Sequence, residues 1–523
     1  MGSEVKDPVA PERAEDGGTT EKALLPLWAE IGLVAATALA VLLALALPSR
    51  IPAVDLAEHA RILALLIGHP TSDAMTEAGL ESNPLAPYWT FYAVAALFSG
   101  VTSPYVATRI AFALVAALIP VAVALWLRAR GSAPILAVLS GLVVFSDPVA
   151  WGFVGMVTAL PVAALLLAAA ERLVAKPRWR WALVTSALVV VLYYSHLFVC
   201  IVGLGAAWML IVLRPPSRRF LVPVIAATVV VAALAAAFLA TEQETPYMEA
   251  KRAQTSGLLA FDWERPLDVI GLGASYGRPA DRRLFVYALW AVAVVPALAR
   301  RRREKSRREW RQRAFDLRYV IIFLVLLGAS LVTSNTLLLW RRCGSLAAFF
   351  LPPALPPPRG RLALAAPLVA TILVGFLASN AYTAGQEFTE RTACVESLVA
   401  RVRHPGRVLS LVGVHAPRGF AVPVYDHLGA LLLAERGGRP TFEFGHTGVH
   451  AVRAARPAEL PERQVMLLHV FPDLYDPALA ASLDTIITVP PVDPTALLGR
   501  QRSNFEWETC GLFGLATRRS RPQ

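Results

Sequence analysis

The chain has 523 residues, 56% of them hydrophobic and only 17% charged, with a mean hydropathy of +0.53. A soluble enzyme carries about 25% charged residues, and this chain contains repeated runs of about 20 apolar residues with almost no charge, the pattern of membrane spans. The formal net charge of +12 does not point to nucleic acid, because the basic residues sit in short segments between apolar runs, as a topology signal does.

In chain order, residues 1–26 are expected to form a polar cytoplasmic tail. Met1 to Lys22 has no basic n-region, so the first apolar run, Leu27 to Leu47, reads as an uncleaved span. The stretch "RIPAVDLAEHARILALL", Arg50 to Leu66, follows it. Residues 48–103 are expected to stay on the outer side, because the next span, Tyr105 to Leu127, ends in the basic "RAR" at Arg128. Within that loop, "YWTFYAVAALF" from Tyr88 to Phe98 is too short to span and rich in aromatics, which fits an interfacial helix.

Ala133 to Phe145 then leads outward and Pro148 to Ala170 returns, which makes "SDP" at Ser146 an outer turn. Trp181 to Leu213 has basic segments at both ends and must cross twice. As one straight helix it would be about 50 Å long, against a hydrocarbon core of about 30 Å. Two short helices meeting near "YYSHLF" satisfy both constraints and put His196 at the outer turn. A second outer loop is expected at 241–283, followed by a return to the arginine cluster at Arg300. The other basic segments, at Glu171, Arg214 and Arg359, are assigned with Arg128 and Arg300 to the cytoplasmic side. The "RR" at Arg341 is grouped with Arg359 by composition, while Tyr319 to Leu339 leads outward, a short segment around Gly344 to Leu351 returns and Leu362 to Ser379 leads out again. The cluster at Arg300 is also a candidate for anionic membrane lipids.

The resulting expectation is an α-helical polytopic membrane protein with about eleven spans over 27–379. Residues 380–523 are expected to form a small extracytoplasmic α/β domain, because strand-length apolar runs alternate there with helical stretches such as "YDHLGALLLAER". The membrane would be the plasma (inner) membrane, with the N-terminus cytoplasmic. Cys394 and Cys510 then share an oxidising compartment and are a disulfide candidate. Cys200 and Cys343 read as core residues.

Several polar groups fall on the expected outer face. Asp55 and Glu58 follow a capping-box pattern at a helix start, yet an acid there can equally serve chemistry at the water–lipid boundary. Asp147 before Pro148 either starts a helix or helps Glu58 hold a divalent metal near a phosphate. His196 is either a hydrogen-bonded hairpin residue or a donor to a phosphate or a sugar hydroxyl. His446 and His450 have i, i+4 spacing, but Gly448 between them breaks the helix a metal site would use. Walker, Rossmann, G-x-S-x-G and H-E-x-x-H motifs are absent from the sequence. No expected span has an acid or base near its middle, which counts against an ion-coupled transporter.

"DLAEH" from Asp55 to His59, "WGFVGMVTALPVAALLLAAAERL" from Trp151 and "YYSHLF" from Tyr193 follow one another in an order that resembles the GT-C superfamily of integral-membrane glycosyltransferases. The resemblance implies a polyprenyl-phosphate-linked sugar as donor and chemistry on the outer face by inversion. It implies Asp55 as general base, Glu58, His59, Arg61 and His196 as substrate or phosphate contacts, and Mg2+ or Mn2+ held by Asp147 and Glu58. The acceptor would be an envelope glycan, lipid or protein. One departure from the family pattern is Gly155 in "GFVGM", where relatives tend to carry Asn. The alternatives are an inactive relative acting in envelope assembly or binding, and a lipid or polysaccharide transporter.

Overall fold

The computed structural model describes residues 25–241, 310–333, 339–355, 364–403, 405–413, 420, 423–441, 450–455 and 475–519. They form a helical bundle topped by a small mixed sheet. Helix α1 (Leu27–Ala46) leads into α2 (Leu56–Leu66), α3 (Ala74–Glu77), β1 (Leu80–Ser82) and α4 (Trp89–Ser99). Helix α5 (Pro104–Arg130) starts with Pro at its first position, where no amide is needed, and stops at Gly131 with φ 80°. A 3-10 turn, Pro134–Leu139, continues as α6 (Ser140–Val144), and α7 (Asp147–Ala150) turns the chain into α8 (Val154–Ala175).

Helices α9 (Trp179–Ser195) and α10 (Leu197–Leu213) form the expected hairpin, broken at His196 by its extended backbone. Helix α11 (Arg218–Thr241) follows, and three further long helices cover Trp310–Val332, Leu339–Ala354 and Ala365–Arg401.

Among the described residues, five helices are long and apolar enough to cross a membrane: α1, α5, α8, α11 and Pro367–Arg401. Helices α4, α9 and α10 and the stretch Leu317–Val332 are apolar but shorter. The chain is thus a membrane protein, and the number of its spans stays an expectation. The Arg300 cluster, Arg359, the loop from 242 to 283 and the span at 284–299 lie outside the described residues.

Small side chains let α5 and α8 approach closely: Ala111, Ala116, Ala159 and Ala163 are all buried. At the bundle end away from His196, Glu171 of α8 accepts from Arg318 Nη2 at 2.5 Å and from the Tyr319 hydroxyl at 2.7 Å. This buried pair is hydrogen-bonded further, since Trp126 Nε1 donates to Tyr319 at 3.2 Å.

The expected boundary at 379/380 is crossed by one continuous helix. Ala365–Arg401 has 37 residues, about 55 Å of helix, more than a bilayer core needs. Its far end joins the sheet domain through a disulfide between Cys394 and Cys510. The five strands run in the order β3-β2-β5-β7-β6. Strands β2 (Arg407–Val412), β3 (Arg439–Pro440) and β5 (Thr485–Val489) are parallel. Strand β7 (Phe513–Arg518) runs antiparallel to β5 and to β6 (Phe505–Cys510). Helix Gly429–Arg436 connects β2 to β3. The loop after α1 is also tied to the C-terminal part of the chain, through a separate two-stranded sheet of β1 and β4 (Val452–Ala454).

Gly152 sets how close the turn after α7 comes to α2. Its φ is +74°, and a Cβ would stand 3.1 Å from the amide nitrogens of both Asp55 and Leu56. Gly152→Ala therefore combines left-handed strain with backbone crowding, and should cost roughly 2 kcal/mol. Gly32→Ala, where nothing lies within 4 Å, should be neutral or slightly stabilising. Thermal melts of the two purified variants check this.

Candidate active site

The site begins where α2 begins. The amides of Val54 and Asp55 donate to the carbonyls of Ala150 and Trp151 at 3.2 and 3.0 Å. The end of the Asp147 turn is thereby stitched to the start of α2. Asp147 opens α7, and its side chain lies outside the described residues.

Asp55 occupies the N-cap position of α2, but its side chain makes no capping bond. The capping-box expectation therefore fails for the carboxylate, which turns instead to the sheet domain. His427 Nε2 lies 3.4 Å from Asp55 Oδ1, and His427 Nδ1 lies 3.3 Å from Glu58 Oε1. Burial opposes a charge on this imidazole, but the two carboxylates outweigh it and push the His427 pKa up to about 10. The side chains of Glu58 and His427 are 5% and 8% exposed, while that of Asp55 is 15% exposed and keeps an open edge.

Sequence reasoning missed His427. It stands in "YDHLGALLLAER", read only as a helical stretch, some 370 positions from its partners. A second residue it undervalued is His450, whose ring lies 5.6 Å from His59 and 5.2 Å from Tyr88. His446 lies outside the described residues.

A row of rings continues from there. His59 Nδ1 and the Tyr92 hydroxyl share a 2.8 Å hydrogen bond, and Tyr88 meets His196 edge-on at 5.4 Å. Val199 N–H donates to His196 Nδ1 at 3.4 Å, which leaves the Nε2 of that imidazole as its donor. Burial pulls the pKa of His59, His196 and His450 down, the last to about 3, and the nearby Arg342 charge adds to this for His196 and His450. These three imidazoles are neutral at pH 7.

Arg341 and Arg342, counted among the basic segments but following a span expected to lead outward, lie at the start of helix Leu339–Ala354 on the same end of the bundle as Asp55. Arg341 stands over the Trp151 ring at 5.7 Å and Arg342 over Phe153 at 4.7 Å. Their charge faces the site because the turn between α7 and α8 offers aromatic faces to hold them.

Arg61, expected at a phosphate, is fully buried. Its Nη1 and Nη2 each donate at 2.9 Å, to the carbonyls of Leu433 and Gly438. It binds α2 to the sheet domain.

Of the expected metal pair, Glu58 lies 3.3 Å from His427 Nδ1, and the side chain of Asp147 lies outside the described residues. His427 fills the gap between Glu58 and Asp55 and supplies a cation there itself. Among the described residues, no group of three or more His, Cys, Asp or Glu could hold a metal ion.

No model of a known protein family matches the chain, and no curated protein matches it. Among solved structures, one similar chain is the arabinofuranosyltransferase AftD from Mycobacteria, seen by single-particle cryo-EM. The identity is 15% and the TM-score 0.49, with 95% of this chain and 42% of that chain covered. This chain therefore spans less than half the length of that enzyme, and the likeness is too weak to carry an argument.

Removing His427 leaves two carboxylates facing each other without their cation. His427→Ala should destabilise the protein by roughly 3 kcal/mol, and adding Glu58→Gln should restore part of that, as read by thermal melts. The pH dependence has two sides. The stabilisation from His427 is fully present below its unfolded pKa of about 6.5 and is lost as pH rises through about 10. His450 acts oppositely: its contribution is present above about pH 6.5 and fades as pH falls towards 3. Melting temperature should therefore peak between these limits, and the alkaline loss should be absent from His427→Gln.

Proposed function

We propose that this chain is a membrane glycosyltransferase acting on a polyprenyl-phosphate-linked sugar at the outer face of the membrane. The acceptor is an envelope glycan, lipid or protein. The observation that carries the reading is one partly exposed carboxylate, Asp55, fixed by His427 at the same bundle end as Arg342, His196 and Tyr88.

In this reading Asp55 takes the proton of the acceptor hydroxyl as its oxygen attacks the sugar C1. The bond from C1 to the phosphate oxygen breaks from the opposite side, its electron pair leaves with the polyprenyl phosphate, and configuration inverts. Arg342, with the donor Nε2 of His196, offsets the charge that builds on the leaving phosphate. The aromatic helix α4, which presents Tyr88 and Tyr92 to the site, suits the access route of a lipid chain. Glu58 supports the carboxylate through His427. A donor carried by lipid needs no nucleotide-binding motif, in line with the sequence.

A second reading, an envelope-assembly or binding protein of the same architecture, is favoured by one observation. The Asp55–His427–Glu58 contact ties α2 to the sheet domain and would be useful without any reaction.

The two part on one experiment. Purified protein in lipid-supplemented detergent is incubated with a panel of polyprenyl-phosphate sugars and an envelope extract, and release of free polyprenyl phosphate is measured. Transfer predicts release that falls about 10²- to 10⁴-fold in Asp55→Asn and roughly 10²-fold in Arg342→Gln. Equal release by wild type and Asp55→Asn would remove Asp55 from the chemistry. No release from any donor would favour the assembly reading.

A further inference from the structure

A second cavity lies on the far side of α2, between the membrane helices and the sheet domain, with a volume of about 650 Å3. Asp55, Glu58 and His427 are not among the residues that line it. Ser49 and Arg50 form one wall, and Ser103, Tyr105 and Arg109 at the start of α5 form another. The remaining walls come from Glu396 and Val399 on the last long helix and from Leu431, Glu435 and Arg436 on helix Gly429–Arg436.

Three arginines from three elements converge here against two glutamates. One glutamate is already committed, since Arg50 Nη2 pairs with Glu396 Oε1 at 2.8 Å. Arg109 Nη1 donates to the Pro48 carbonyl and Arg436 Nη2 to the Ala400 carbonyl at 3.2 Å; a carbonyl fixes a guanidinium without cancelling its charge. Among the described residues, Arg109 Nε and His69 Nε2, both on the walls, are buried with no hydrogen-bond partner. The positive end of the 27-residue helix α5 opens on the same space.

The height of the cavity decides what it can meet. Arg109 is in the second turn of α5, and the uncharged run Ile110 to Leu127 follows at once. The cavity therefore stands at the level of lipid headgroups, and Val399 and Leu431 give it an apolar wall beside the arginines. We propose that it binds the phosphate-bearing headgroup of an anionic lipid, with Arg109 and Arg436 as the phosphate contacts. A pocket of this size holds more than a phosphate ion. The proposal does not depend on sugar transfer, because binding alone is read.

The test uses the full chain in detergent and native mass spectrometry with three probes: dioctanoyl phosphatidic acid, inorganic phosphate and dioctanoylglycerol. The proposal expects phosphatidic acid to bind, the neutral diacylglycerol to bind at least about tenfold more weakly, and Arg109→Gln/Arg436→Gln to lose about tenfold or more. Val399→Trp, which sets a bulky ring on the apolar wall beside the arginines and keeps every charge, should also weaken lipid binding about tenfold or more. Glu435→Gln removes a wall carboxylate and should tighten binding, so a misfolded loss variant does not end the test. Inorganic phosphate binding as tightly as the lipid would overturn the lipid assignment. Equal affinity for the neutral lipid, or unchanged affinity in the Val399→Trp and charge-removed variants, would overturn the site.

Discussion

Much of this molecule turns on one cation between two acids. His427 reaches out of the sheet domain into the first loop of the membrane part, and its charge stands between Asp55 and Glu58. Neither carboxylate is comfortable where it is without that partner, since burial disfavours a lone charge. Arg61 makes the reciprocal reach, from α2 to two carbonyls of the sheet domain. The strand pair β1–β4 adds backbone hydrogen bonds across the same seam. The loop after α1 is thus built by the C-terminal domain as much as by the membrane helices, and any function of Asp55 is a function of both.

That arrangement explains which parts were readable from the chain. The α9–α10 hairpin could be read because length and charge at both ends of Trp181 to Leu213 leave no other solution. Strands β2, β5 and β7 could be read because they are apolar runs of the right length. Strand β6, "FEWETC", could not, because it lies at the sheet edge and alternates acids with other residues. The identity of the local acids was also legible: Asp55 and Glu58 stand three apart, so one helix turn puts them on one side. Their partner was not, since no local pattern links position 427 to position 55.

The arginines show a different limit. Counting basic residues places short loops well when the residues face water, but Arg341 and Arg342 are held over Trp151 and Phe153. An arginine stacked on aromatic rings is a tertiary contact and carries no topology information of its own. The stacking brings the Arg342 charge to His196 and His450, a placement that counting basic residues does not supply.

Gly155 follows from the same close packing. A Cβ at this position would lie 2.6 Å from Tyr88 Cδ1 and 3.0 Å from the Ser195 carbonyl. The space beside Gly155 is filled by the Tyr88 ring, which in turn meets His196 and His450. Helix α4, too short to cross a membrane, gains a place in the site by sending this ring into the gap. The ring thereby narrows the space beside the neutral histidines. It bears on which ligand the site admits rather than on whether the site is there.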